Sequence, residues 1–258
     1  MLRKLLKYDL RASLRIFAIG WLAVVLLTAV QCLLLSFDME NPLVSIVVVL
    51  SAIPYVLGII AMFSVPNIYF GVRFYRGLLG REGYLMFTLP TQPWKLLASK
   101  LLSAMIITTV TFLVSVTALL TWISCLLYST EGIRLFGDLF MFMGWEPKYL
   151  WNILGLLLTM LCTFACNNLL LYLACCLGHL FRTRRVLWTV VMYLALNTAM
   201  STVSGLGRGL QTLNMETDAT FTAITSYFSV TVLPLSLGVA VLCFFFCERI
   251  LHNKLNLE

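Results

Sequence analysis

The sequence predicts an all-α, polytopic integral membrane protein with six transmembrane helices, and three observations carry that prediction. The first is composition: of 258 residues, 61% are hydrophobic and 11% charged, with a mean hydropathy of +0.96. A soluble domain is about 45–50% apolar and about 25% charged. The second is segmentation. The apolar residues fall into six stretches of about 20 residues or more, the length at which a helix crossing lipid satisfies its own backbone. The third is that the basic residues gather in alternate connecting segments. These features exclude a soluble domain and a disordered chain, and the absence of an internal repeat excludes a solenoid.

In chain order, residues 1–15 read as an amphipathic interface helix. Leu2, Leu5, Leu6, Leu10, Leu14 and Phe17 recur at three- and four-residue steps, while Arg3, Lys7, Arg11 and Arg15 recur every four on another face. Such a helix lies in the plane of the membrane with its basic face toward anionic headgroups. A flank that merely orients the next span would not require a regular apolar stripe. The first span covers residues 16–37. It is longer than a signal-peptide core, lacks a small-residue cleavage site, and has Gln31 where a lipoprotein box needs a small residue, so it is expected to remain in the mature protein.

The second span covers residues 43–69, with bends expected at Pro54 and Pro66. The third covers 96–128 and the fourth 149–181, both longer than a bilayer needs, so they tilt, kink or protrude. The apolar segment 129–149 between them is expected to lie along the outer interface as a short helix. The fifth span covers 186–206 and the sixth 227–247. Gly205 and Gly209 have helix-packing spacing but flank Arg208, and the pair reads as a turn. Apart from Lys100 near the start of the third, none of the six stretches contains Asp, Glu, Lys or Arg.

Charge then orients the chain. With the N-terminus inside, the inner segments hold Arg3, Lys4, Lys7, Arg11, Arg15, Arg73, Arg76, Arg81, Lys95, Lys100, Arg182, Arg184, Arg185, Arg249 and Lys254. Only Arg134, Lys148 and Arg208 of the 18 basic residues fall outside. The positive-inside rule therefore puts both termini in the cytosol. The net charge of +7 faces the membrane surface and does not imply nucleic acid.

The segment 73–100, RFYRGLLGREGYLMFTLPTQPWKLLASK, is long for a helix connection. Phe74, Leu78 and Leu79 suit a short helical turn. Gly80 and Gly83 permit a tight tip, and Pro90 stops the following helix. Thr91 is a cap for the third-span helix, with Pro93 in its first turn. The segment is apolar and charged together, a combination suited to docking.

Leu79, Gly80, Glu82, Gly83, Tyr84, Leu85, Thr88, Leu89 and Pro90 match positions of a loop pattern, F-x-x-L-G-x-E-G-Y-L-x-x-T-L-P, whose leading Phe is Arg76 here. In this the chain resembles the permease subunit of type-2 ABC exporters, in particular the small six-span permeases of Gram-positive bacteria. The layout of basic helix, six spans and internal termini is similar throughout. The connection between the fifth and sixth spans departs from that family, being mostly polar where relatives carry apolar re-entrant helices.

The resemblance implies a single transmembrane domain, residues 1–258, in a bacterial plasma membrane. It implies a pair of cytosolic ABC ATPase subunits as partners, holding the ATP and magnesium, and a second permease copy or a homologous permease. The coupling residues would be Gly80, Arg81, Glu82, Gly83, Tyr84 and Leu85.

The residues themselves agree that the chain carries no engine. No acid lies within the spans, and His179 and His252 lie at cytosolic ends, so nothing marks an ion-coupled carrier, and no G-x-x-x-x-G-K-[ST] loop would bind ATP. Neither H-E-x-x-H nor G-x-S-x-G is present. The chain is therefore expected not to be an enzyme and to hold no cofactor or metal. Its eight cysteines lie in apolar runs with no carboxylate or histidine among them, and read as packing residues. Asn167, Asn168, Tyr172 and Asn197 are candidates for a translocation path. The alternative is that they hydrogen-bond neighbouring helices, at about 1 kcal/mol or less each. A weakly polar path suits an amphipathic or lipophilic cargo, a peptide or a lipid. The rival reading is a non-transporting membrane scaffold, sensor or immunity protein that binds an antimicrobial peptide.

The charge split makes a direct prediction. In a background free of the native thiols, cysteines placed in 37–43, 129–149 or 207–226 should react with an impermeant maleimide from outside. Cysteines at Gly80 or Arg184 should react only after permeabilisation, and external labelling at Gly80 would overturn the orientation.

Overall fold

The computed structural model describes residues 2–37, 42–79, 93–127, 147–181, 184–212 and 231–253. Among these residues there is no strand. Six long helices follow one another: α1 (Leu2–Leu35), α2 (Pro42–Phe74), α3 (Pro93–Leu127), α4 (Pro147–His179), α5 (Arg185–Thr212) and α6 (Leu233–Asn253). A π-helical turn, Tyr75–Leu79, extends α2. All six helices are long and apolar enough to cross a membrane, so the protein is an all-α, multi-pass membrane protein. The first four have 34, 33, 35 and 33 residues. At about 1.5 Å per residue each is about 50 Å long, well beyond an apolar layer of about 30 Å.

Three expectations change. The N-terminal amphipathic segment is not a separate element: it runs without a break into the first span as the single helix Leu2–Leu35. Neither Pro nor Gly interrupts it before Gly20, and the Ser13 hydroxyl is absorbed by the Asp9 and Leu10 carbonyls at 2.7 and 3.2 Å. Gly205 and Gly209 are not a turn, because α5 continues through them to Thr212. The sixth helix extends past Cys247 to Asn253, taking Glu248 and Arg249 with it. Pro54 and Pro66 both lie inside α2, which runs through them as one helix. The expected outer helix within 129–149 lies outside the described residues up to Pro147, where α4 begins.

The polarity of the helices is inverted relative to a soluble protein. Side chains such as Ile19, Leu22, Leu57 and Val241 are exposed, while Ser13, Gln31, Ser103, Ser115, Thr159 and Asn168 are buried. In lipid, apolar side chains have no reason to leave the surface, and small or polar residues mediate helix contact. None of the most apolar window of α5 is buried within the chain. On α1 the buried line is Asp9, Ser13, Phe17, Val24, Thr28 and Gln31, so the Leu10–Leu14 stripe flanks it.

The chain divides into two compact units. One comprises Lys7–Pro66 and Ile106–Trp145, holding most of α1, the first part of α2 and most of α3. Its core is Val24, Tyr55, Ile59, Met62 and Ala118. Three side-chain bonds fix it: Trp21 Nε1 donates to Thr111 Oγ1 (3.1 Å), Gln31 Nε2 to Ser51 Oγ (3.1 Å), and the Tyr55 hydroxyl to the Ala118 carbonyl (2.9 Å). The Tyr55 and Trp122 rings pack with centroids 5.4 Å apart.

The other unit comprises Met1–Leu6, Asn67–Met105 and Glu146–Glu258. Here α4 is central and packs against both α5 and α6. Its core joins Phe74, Leu78, Leu96 and Leu97 to Cys166, Leu169, Tyr172 and Cys176 of α4 and to Cys243, Cys247 and Leu251 of α6. At the end of α4 a Cβ on Gly178 would stand 2.7 Å from the Cα and backbone nitrogen of Thr189. Backbone atoms cannot give way as a side-chain tip can, so only glycine permits this approach of α4 to α5. Gly205 has nothing within 4 Å of such a Cβ.

Gly178→Ala should therefore destabilise the purified protein by about 1–3 kcal/mol, the usual cost of overpacking. Gly205→Ala should be neutral or slightly stabilising, because alanine is the better helix former. Thermal unfolding midpoints in detergent compare the two, and equal behaviour would refute the packing argument.

Candidate functional site

Two groups of residues were expected to carry function. The first, Gly80, Arg81, Glu82, Gly83, Tyr84 and Leu85, lies outside the described residues. What the structure does describe is the pair of feet on which that segment stands. On one side α2 runs into the π-turn, burying Phe74 and Leu78; on the other α3 starts at Pro93 and buries Leu96 and Leu97. All four belong to one core. Lys100, one turn further along α3, is also buried at 7% exposure. Its ammonium lies beside the π-turn, 3.9 Å from the position a Cβ on Gly77 would take. A cation is well placed at the C-terminal end of a helix, where the carbonyls are in excess.

The second group is brought together in part. Tyr172 of α4 is 1% exposed. Its ring stacks on Phe74 with centroids 4.2 Å apart and planes at 10°, and its hydroxyl donates to the Lys100 carbonyl at 3.3 Å. One residue thus binds α4 to both feet of the 80–92 segment. Asn167 Nδ2 donates to Asn67 Oδ1 of α2 at 3.0 Å, and its own Oδ1 accepts from the Tyr193 hydroxyl of α5 at 3.2 Å. This chain of three side chains links α2, α4 and α5. Asn197 sits half-buried on α5 and takes part in none of these bonds.

Asn168 differs from its neighbour. It is 1% exposed, its Nδ2 donates to the Phe164 carbonyl at 2.9 Å, and its Oδ1 is buried without a hydrogen-bond donor. Gln31 in the other unit has the same defect at Oε1. A buried acceptor left unsatisfied costs about 1–3 kcal/mol.

Sequence reasoning missed Asn67, Tyr193, Phe74 and Lys100 as parts of this arrangement. Asn67 had a signal: it is the one side-chain amide in residues 43–69. The others did not, because aromatic residues and a lysine at a span end are what a membrane boundary ordinarily carries. Five of the eight thiols match their expected packing role, and Cys32, Cys125 and Cys162 are only half-buried. Cys166, Cys175, Cys176, Cys243 and Cys247 are buried in the α4–α6 core, and no cysteine forms a disulfide. Among the described residues no group of His, Cys, Asp and Glu could hold a metal ion.

No protein-family model, curated protein or solved structure matches this chain, so the site is read from its own geometry.

Three substitutions separate the roles of two residues one turn apart on α4. Tyr172→Ala should cost about 3–5 kcal/mol as a buried aromatic deletion, and Tyr172→Phe about 1 kcal/mol or less, the value of one bond between membrane helices. Asn168→Leu should leave stability unchanged or raise it, since it removes an unsatisfied acceptor and keeps the volume. Unfolding of the purified variants in detergent, on one denaturant scale, checks all three.

Proposed function

We propose that this chain is the permease subunit of an ATP-driven exporter in a bacterial plasma membrane, powered by a separate pair of cytosolic ABC ATPase subunits. The observation that carries the reading is the packing of Phe74, Leu78, Leu96 and Leu97 into one core with Tyr172 of α4 and Cys243, Cys247 and Leu251 of α6. A force applied to residues 80–92 enters the protein through both feet at once and is delivered to α4 and α6. A loose surface loop would dissipate it. The similarity of residues 79–90 to the coupling loop of type-2 ABC exporter permeases supports the same reading, as does the absence from the sequence of any nucleotide-binding or ion-coupling motif.

In this mechanism ATP binding closes the partner ATPases around the loop tip. Tyr84 and Leu85 supply apolar anchors, and Arg81 and Glu82 orient them by charge-assisted hydrogen bonds. Two permease copies, or this chain and a homologue, form the pathway. An amphipathic or lipophilic substrate, a peptide or a lipid, suits a path lined by few polar groups; Asn197 is its candidate polar contact, since Asn168 and Tyr172 are buried and Asn167 is bonded to Asn67 and Tyr193. ATP hydrolysis belongs to the partner, and this chain is not itself an enzyme.

Affinity purification from the native membrane in mild detergent tests the reading, and a stoichiometric ATPase subunit is the expected result. Tyr84→Ala should release that subunit or abolish substrate-stimulated hydrolysis, as loss of a buried aromatic anchor costs about 2 kcal/mol or more. Glu82→Lys should weaken assembly most at low salt. Retention of the ATPase and of stimulated hydrolysis in the double variant would refute the coupling role. Stimulation only by small hydrophilic ions or sugars would refute the substrate class.

A further inference from the structure

The start of α5 has a shape and a charge that the exporter reading does not use. Among the described residues, Arg184, Arg185, Val186, Leu187, Val190 and Val191 line a recess of about 770 Å³. Small-molecule sites typically span about 300–1,000 Å³. The four apolar residues recur at steps of one and three along α5, so they share one face of the helix, and all four are exposed. Both arginines are exposed as well. From Arg185 to Val191 the helix axis rises about 9 Å, so charge lies at one end of the recess and hydrocarbon along the rest.

Nothing in the two helices neutralises that charge. No Asp or Glu occurs between Pro147 and Thr212, and the first turn of α5 contains no acid. Cations at the start of a helix face its positive pole, so an anion is the missing complement. Arg184 has a φ of 51°, a left-handed conformation that a residue with a side chain adopts only where its surroundings impose it. Those surroundings are closely packed. Phe181 stacks on Trp188 with centroids 4.4 Å apart and planes at 10°, and Gly178 abuts Thr189. All of these residues belong to one compact unit.

We infer that this recess binds an anionic phospholipid of the cytosolic leaflet. The guanidiniums of Arg184 and Arg185 match a phosphate in charge and in planar donor geometry. Val186, Leu187, Val190 and Val191 cover the first acyl methylenes, which a free phosphate would not supply. The charge split assigns this end of α5 to the cytosolic side, where anionic lipids gather basic residues at span ends. The lipid is a resident ligand, not the exported cargo, so the inference does not rest on the exporter reading.

The purified full chain, stripped of native lipid in detergent, can be titrated with phosphatidylglycerol and followed by native mass spectrometry, which counts bound lipids. Phosphatidylglycerol should bind more tightly than phosphatidylcholine with the same acyl chains. Arg185→Gln should weaken it about fivefold and Arg184→Gly with Arg185→Gln about 25-fold, the contribution of one and of two basic residues at an anionic surface. Arg185→Lys should keep most of the affinity. Glycine suits the φ at position 184, so the lipid-free double variant should unfold at the native midpoint or above, which separates lost binding from lost fold. Arg249→Gln removes an exposed arginine from α6 and should leave binding unchanged. Equal affinity for the two lipids, or the same loss in Arg249→Gln, would overturn the inference. So would displacement of the lipid by glycerol phosphate, which carries the anion without acyl chains. A dimer that dissociates in the double variant while lipid binding is unchanged would assign this face to a second copy and overturn it too.

Discussion

Tyr172 is the contact on which the arrangement of the second unit depends. It sits on α4, the helix flanked by α5 and α6, and reaches α2 by stacking on Phe74 and α3 by its bond to the Lys100 carbonyl. Between helices in lipid there is little hydrophobic force to specify who packs with whom, because the tails are as apolar as leucine. Specificity falls to directional contacts, and this residue makes two of them. The acceptor is a main-chain carbonyl, so the bond constrains the register of α3 whatever side chain occupies position 100. Phe74 and Leu78 on one foot and Leu96 and Leu97 on the other then close around the same centre.

The remaining polar residues show how such a protein hides its hydrogen-bonding groups. Ser13, Thr28, Thr111, Ser115, Thr159 and Thr163 each bond a carbonyl four residues back in their own helix, which removes a donor from lipid without needing a neighbour. Thr111 does both, bonding Ile107 and accepting from Trp21. The Asn67–Asn167–Tyr193 chain does what the hydroxyls do not and binds three helices together. Asn168 and Gln31 keep an acceptor unused at a cost to stability, and such groups are the places where a membrane protein has polar capacity in reserve.

Much of this was legible in advance. The six helices overlap the six apolar stretches, and each discrepancy has a local cause. The N-terminal segment differs from the first span in charge pattern, yet nothing in its backbone chemistry stops the helix between Leu2 and Leu35. Glycine punctuates loops, but Gly205 and Gly209, four apart, do not break a helix whose other residues favour it. Asn67 follows Pro66, so the helix-bending tendency of the proline dominates that stretch of sequence and its amide partner is visible only in three dimensions. The expected coupling tip from Gly80 to Leu85 lies beyond the described residues, and its legibility rests on the sequence pattern alone.

The sequence by itself determined the class of protein. Apolar length fixes the number of crossings because an unsatisfied peptide group in lipid is too costly to leave, and the uneven basic residues orient them. Both are one-dimensional quantities, summed along the chain. Tertiary structure decided which polar residues meet. Asn67 and Asn167 are 100 residues apart, Tyr172 and Lys100 are 72, and Cys32 and Thr121 are 89. Those pairings depend on how each helix is rotated about its axis. That rotation is set by close approaches such as Gly178 against Thr189 and by ring stacking, not by the hydropathy that places the helices in the membrane.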